Sequence, residues 1–181
     1  MLKTKTKQRL VTLTVTAILT AATVIISRFL SVNLPSMSIG LSFVPLILCG
    51  MLFGSLWGGV ASGLADLTGA LLFPFGPYFP GFTVTATFSG IIFGLIGRLA
   101  EKTSGTLKFA VQATALLLLK ETACSLALNT LFIYILYGGD YFALLLTRLP
   151  VSAVTLVLEA AFAVTLRASV LPPVKKAMGR L

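Results

Sequence analysis

Long apolar runs constrain this chain more than any other feature. They cover residues 10–30, 41–73, 82–99, 107–136 and 141–171, separated by short polar, glycine-rich or proline-rich breaks. About 20 apolar residues suffice to cross a bilayer, and inside the hydrocarbon the backbone must satisfy its own hydrogen bonds. A multi-pass helical membrane protein is therefore expected. Hydrophobic residues make up 57% of the chain, charged residues only 10%, and the mean hydropathy is +1.02. A soluble domain carries about 25% charged residues. A soluble enzyme, a disordered chain and a coiled coil are excluded, and residues 1–181 form a single domain.

The chain has no histidine. That removes Ser-His-Asp and Cys-His nucleophile schemes, histidine zinc sites and histidine proton shuttles. No metal and no resident cofactor are expected. Cys49 and Cys124 both lie in apolar stretches, so neither a CxxC motif nor a structural disulfide is expected. The net charge of +9 would suggest nucleic acid in a soluble protein. Here the basic residues gather at the ends of runs, where anionic headgroups and topology account for them. Membrane lipid is the expected surface, and no nucleic-acid partner is expected.

The first run follows Lys3, Lys5, Lys7 and Arg9. A cleaved signal peptide would share this basic start and the small residues Ala21 and Ala22. The apolar run continues past them to Leu30, which favours an intact span. Ser31 to Gly40 is a polar break, with Asn33-Leu34-Pro35-Ser36 as its turn. Residues 41–73 contain no Lys or Arg; they are too long for one span and short for two, with Gly54-Ser55 as the natural turn near the middle. Basic clusters favour the cytoplasmic side. The N-terminal cluster, the cluster at Arg98, Lys102 and Lys108, and the final Lys175, Lys176 and Arg180 share that side only if residues 41–73 form a hairpin of two spans. The expected fold is all-α, with six transmembrane helices at about 10–31, 38–53, 55–73, 82–100, 106–137 and 142–171 and both termini cytoplasmic.

Gly54 and Gly58, Gly59 and Gly63, and Gly90 and Gly94 are small-xxx-small pairs suited to close helix packing. The charged residues away from the cytoplasmic ends are Arg28, Asp66, Lys120, Glu121, Arg148 and Glu159. Each would cost roughly 2.5–3.5 kcal/mol or more in hydrocarbon, so each faces the bundle interior or water. They serve either a ligand or internal ion pairs that set helix register. Arg28 and Arg148 fall near outer helix ends, Asp66 about 10 Å below the outer end of the third helix, and Glu121 and Glu159 near mid-membrane. Arg148, Ser152, Thr155 and Glu159 form one polar stripe; Glu121, Ser125 and Asn129 form another, with Phe132 continuing its face. Such stripes wall a hydrated pocket or zip two helices together. Phe73, Phe75, Tyr78, Phe79 and Phe82 offer stacking faces, or an interfacial belt. Arg28 and Arg148 suit carboxylates, and Asp66 suits the hydrogen-bonding edge of an amino-heterocycle. An amphipathic, planar, anionic ligand fits this set.

The more specific stretches are Ile26-Ser-Arg-Phe-Leu-Ser31, Gly50-Met-Leu-Phe-Gly54, Leu56-Trp-Gly-Gly59, Gly63-Leu-Ala-Asp66, Gly69-Ala-Leu-Leu-Phe-Pro74 and Tyr78-Phe-Pro-Gly-Phe-Thr-Val-Thr-Ala86. Leu128-Asn-Thr-Leu131, Leu136-Tyr-Gly138 and Arg148-Leu-Pro-Val151 extend them. In these stretches the chain resembles the substrate-binding (S) components of energy-coupling factor (ECF) vitamin transporters, most closely the folate-specific members. The resemblance covers nearly the whole chain. Ala17-Ile-Leu-Thr-Ala21 is an AxxxA pattern similar to the one S components use to dock on their partner. The resemblance implies six helices in a bacterial cytoplasmic membrane, with a vitamin held near the outer face under outer loops. It implies a non-catalytic transport subunit, with ATP and Mg²⁺ used by two partner ATPase subunits joined to a transmembrane coupling subunit. The absence of a GxxxxGK[ST] loop agrees.

The ligand candidates are then Arg28, Asp66, Phe73, Phe75, Tyr78, Phe79, Phe82, Lys120, Asn129 and Arg148, and the docking candidates Ala17 and Ala21. For folate, Asp66 would meet the pterin edge and the arginines the glutamate carboxylates, with Lys120 contributing if Glu121 or Glu159 is neutral. Another vitamin is the nearest alternative. An intramembrane enzyme using Asp66, Glu121 and Glu159 lacks a convincing nucleophile–base set, and an ion conduit along the stripes leaves the aromatic loop unexplained.

Overall fold

A computed structural model describes residues 2–34, 37–74 and 76–178. α1 (Leu2–Phe29) leads into an antiparallel hairpin of β1 (Val32–Leu34) and β2 (Met37–Ile39), in which Val32 pairs with Ile39 and Leu34 with Met37. α2 (Phe43–Phe53), α3 (Ser55–Leu72) and α4 (Pro80–Lys102) follow. A fifth rod is continuous through α5 (Thr106–Lys120), a π-helical stretch (Glu121–Leu128) and α6 (Asn129–Tyr137). The sixth runs through α7 (Tyr141–Thr165), a second π-helical stretch (Leu166–Val170) and α8 (Leu171–Met178). Thr6–Phe29, Pro80–Lys102, Thr106–Tyr137 and Tyr141–Val174 are long and apolar enough to cross a membrane.

The second helix departs from expectation. A start near residue 38 was expected, but residues 37–39 lie in the hairpin and α2 begins at Phe43. The fold is all-helical as expected, apart from this one small hairpin. Pro45 supplies the physical reason. Proline is tolerated in the first helical turn, where its missing N–H is not needed, and it disrupts a helix interior. It is the third residue of α2, so the helix cannot begin much earlier. α2 is left with 11 residues, about 16 Å, roughly half of a ~30 Å hydrocarbon core. β2 lies against α7. Of the turn expected between β1 and β2, Pro35 and Ser36 lie outside the described residues.

Gly54 alone connects α2 to α3 at φ +85°, a left-handed conformation that glycine adopts without a steric penalty. It serves as the turn, not as the packing partner of Gly58. The other expected small residues do pack. A Cβ on Gly58 would sit 2.5 Å from the Gly90 carbonyl oxygen, and one on Gly97 would sit 2.6 Å from Met51 Cα. At this end of the bundle α2, α3 and α4 therefore meet at backbone distance. Phe109, Ile47, Ile96, Leu117 and Cys49 form the most deeply buried core beside them. Cys49 and Cys124 are both free thiols.

Candidate ligand-binding cavity

Because α2 stops short, space opens between α1, α3, α4, the fifth rod and α7 at the end of the bundle away from Gly54. Three lobes occupy it, of ≈ 240, ≈ 250 and ≈ 350 Å³. Asp66 borders all three, Arg28 the first two, and Phe82 the first and third. The first lobe is the mouth, where the loop before α4 contributes Tyr78 and Phe79 and the fifth rod contributes Tyr137. The second runs along α1 past Thr23 and Ser27 to Ser42. The third reaches inward to Lys120, Glu121, Asn129 and Glu159. A larger groove of ≈ 600 Å³ on the surface of α3 and α4 is lined by Leu56, Val60, Leu64 and Ile91 and has no charged side chain. Its only polar side chains are the hydroxyls of Ser55, Thr83 and Thr87, so it offers no charged group to orient an ionic ligand.

At the mouth, Arg28 lies across α3 because Gly69 has no side chain: a Cβ there would sit 2.9 Å from Arg28 Nε. Arg28 is also within Coulombic range of Asp66. Thr83 Oγ1 donates to Asp66 Oδ2 at 2.7 Å. Its one hydroxyl proton is then committed, so Tyr78 donates to Thr83 across their 3.0 Å contact. The relay Tyr78–Thr83–Asp66 pins the aromatic loop to α3. Phe79, Phe82 and Phe132 cluster with ring centroids 5.1–6.1 Å apart. Gly81 permits this approach, since a Cβ there would fall 2.6 Å from both Phe132 and Phe79.

In the inner lobe, Lys120 Nζ donates to Glu159 Oε1 and Oε2 at 2.5 and 2.7 Å and pairs with Glu121 Oε1 at 2.6 Å. It also lies 5.4 Å from the Phe93 ring centroid. An ammonium has three N–H groups, and all three are engaged. Lys120 thus borders the cavity while holding two carboxylates in place. The Thr85 hydroxyl lies 2.7 Å from Asn129 Oδ1 and 2.9 Å from the Phe82 carbonyl oxygen, so its single proton serves one of two acceptors. The stripe of Glu121, Ser125 and Asn129 faces the cavity, and the stretch that carries it is π-wound up to Leu128.

The expected residues therefore separate. Arg28, Asp66, Tyr78, Phe79, Phe82, Lys120 and Asn129 come together around the lobes. Arg148 is buried, donates to the Ser125 carbonyl at 3.2 Å and does not border them. Phe73 turns away and packs edge-on against Phe29 at 5.2 Å. Phe75 lies outside the described residues. Ala17 and Ala21 are exposed on α1. Thr83, Thr85, Ser89 and Ser42 are lining or supporting groups that the sequence reading did not single out. Phe82, Thr85, Ala86 and Ser89 follow the i, i+3, i+4, i+7 pattern of one helix face, a signal that could have found them. Ser42 carried none, because its position depends on where α2 begins.

Several known proteins share this sequence and architecture. The sequence model of the ECF-type riboflavin transporter, S component, matches residues 7–170. A folate transporter FolT from Clostridium novyi (strain NT) is 33% identical over 131 residues, covering 72% of this chain and 73% of that protein. A folate transporter FolT from Leuconostoc mesenteroides subsp. mesenteroides is 29% identical over 121 residues, covering 67% and 62%. The crystal structure of FolT bound with folic acid superposes with a TM-score of 0.74 at 28% identity, covering 88% of this chain and 95% of that one. The family match runs from the first helix to the last and takes in every rod that lines the cavity: this chain belongs to the ECF-type riboflavin transporter S component family.

Proposed function

We propose that this chain is the S component of an ECF-type transporter that captures folate from the outside and delivers it inward when coupled to partner subunits. The observation that carries the reading is the three-lobed cavity, with Arg28 and an aromatic loop at its mouth and hydrogen-bonding groups at its inner end. Folate is flat and amino-substituted at one end and dicarboxylate at the other. Aromatic faces suit the rings, and a guanidinium suits a carboxylate. The similarity to two folate transporters and to a folate-bound FolT supports the same ligand.

Riboflavin is the second reading, favoured by the description of the family model. It has no carboxylate for Arg28 to grip. Mass spectrometry of small molecules retained by the detergent-purified protein, followed by titration with folic acid and riboflavin, separates the two. Folate retained, with riboflavin a poor competitor, is the expected result. Riboflavin retained, with folic acid unable to displace it, overturns the folate reading.

In this proposal the chain spans the bacterial cytoplasmic membrane six times with both termini inside, which places the cavity in the outer half. It catalyses no reaction; two ATPase subunits hydrolyse Mg-ATP and a transmembrane coupling subunit joins them to this chain. Exposure of Ala17 and Ala21 on α1 supports docking there. Ala17→Trp and Ala21→Trp are expected to leave ligand binding intact and to abolish co-purification with the coupling subunit. An unchanged complex would remove that face from the interface.

A further inference from the structure

We propose that the apolar groove between α3 and α4 seats one acyl chain of an anionic phospholipid, whose phosphate rests on Arg98 and Lys102 at the foot of the groove. The proposal goes beyond the folate reading and does not depend on it.

The groove exists because of Gly59 and Gly63. Both lie where α3 meets α4: a Cβ on Gly59 would sit 2.9 Å from Ile91, and one on Gly63 would strike the Thr87 hydroxyl. Without side chains at these positions the helices close at depth. A furrow remains between Leu56, Val60, Leu64 and Leu67 on one wall and Thr83, Thr87 and Ile91 on the other. Leu56, Val60 and Leu64 are exposed, so the furrow opens away from the bundle, and around a membrane-spanning chain that surrounding is lipid. Two of its hydroxyls are already committed: Thr83 donates to Asp66 and Thr87 to the Thr83 carbonyl. From Ser55 to Leu67 the groove follows α3 for about 18 Å at 1.5 Å per residue. One leaflet of a ~30 Å hydrocarbon core measures about 15 Å, so a single extended acyl chain matches that length.

The charges that would select a headgroup lie just past the groove. Gly94 is level with the start of α3, since a Cβ on it would strike the Ser55 backbone. Arg98 follows one helical turn later and Lys102 a turn after that, and both are exposed. Thr87, Ile91, Arg98 and Lys102, spaced by four, seven and four, share one face of α4. The wall of the groove therefore continues into two cations. α3 begins at the same level without a side-chain cap, which leaves its first amides open to an anion. Glu101 stands on the same stretch, so the foot carries two positive charges against one negative. A neutral groove with a net positive foot complements a molecule that has an apolar tail and an anionic head. In the topology proposed above, that head belongs to the cytoplasmic leaflet.

Native mass spectrometry of the full chain in detergent tests this, with phosphatidylglycerol and phosphatidylcholine of identical acyl chains as probes. The unmodified protein is expected to retain phosphatidylglycerol at least about fivefold more tightly, the scale of one net positive charge at a lipid surface. Arg98→Gln combined with Lys102→Gln is expected to erase that preference. Lys108→Gln, at an exposed cation on α5, is expected to leave it. Val60→Trp fills the groove and is expected to lower retention of both lipids by at least about fivefold. None of these residues borders the polar lobes, so folic acid affinity within about twofold of the original shows that each variant is folded. Equal retention of the two lipids by the unmodified protein overturns the proposal without any variant. A preference that survives the double substitution, or that falls equally with Lys108→Gln, also overturns it, because the lipid then senses the basic rim as a whole. If Val60→Trp spares lipid retention and instead changes the oligomeric state or blocks co-purification with the coupling subunit, the groove seats a protein and the proposal falls.

Discussion

The two ends of the bundle use the same helices in opposite ways. Around Gly54, α2, α3 and α4 touch at backbone distance through Gly58, Gly90, Gly97 and Met51. Around Asp66, α3 and α4 persist but α2 contributes only its first turn, through Phe43 and Leu46, and the space holds a polar cavity with a charged mouth. The difference teaches that glycine packing and ligand space are parts of one arrangement. A tight end lets a helix terminate half-way without the bundle falling apart.

The contrast can be broken at either end. The largest expected effect is at the buried ion cluster that borders both regions. Lys120→Met removes the ammonium that binds both Glu121 and Glu159, and removing one member of a buried pair costs about 3–5 kcal/mol. Thermal unfolding in detergent should show a severe loss of stability; an unchanged midpoint would mean the carboxylates are not held by Lys120. Next is Gly58→Val, which forces a branched side chain into a contact with the Gly90 carbonyl. Overpacking of this kind costs about 1–3 kcal/mol or more, read as a lowered midpoint or loss of monodisperse protein.

At the open end, Arg28→Ala is expected to keep the unfolding midpoint and to weaken folic acid binding by roughly 10- to 100-fold, the value of a charge-assisted contact. Full retention of affinity would exclude the carboxylate grip. The smallest effect is at the turn. Gly54→Ala meets no neighbour within 4 Å but adopts φ +85°, a cost of about 1–2 kcal/mol. A shift as large as that of Gly58→Val would show that Gly54 packs as well as turns.

Much of this was legible in the residues. The apolar runs, the break at residues 31–40, the turn at Gly54 and the Pro-rich aromatic loop follow from hydropathy and local turn chemistry. The stripes on the last two rods follow from spacing alone. Other features were not legible. Hydropathy does not distinguish residues 37–39 as strand from helix, and Pro45 acquires its meaning only once the helix start is known. Whether Arg148 and Phe73 face a ligand or another helix depends on side-chain partners that lie far away in sequence.

The residue order by itself therefore determined that the chain is a helical membrane bundle with a few internal charges and an aromatic loop, because burying backbone and charge in hydrocarbon leaves few alternatives. Only the tertiary structure decided which charges meet a cavity and which meet each other. That choice depends on how far α2 reaches and how the fifth rod winds, so Lys120 is matched by two carboxylates inside the bundle while Arg28 and Asp66 meet at the mouth.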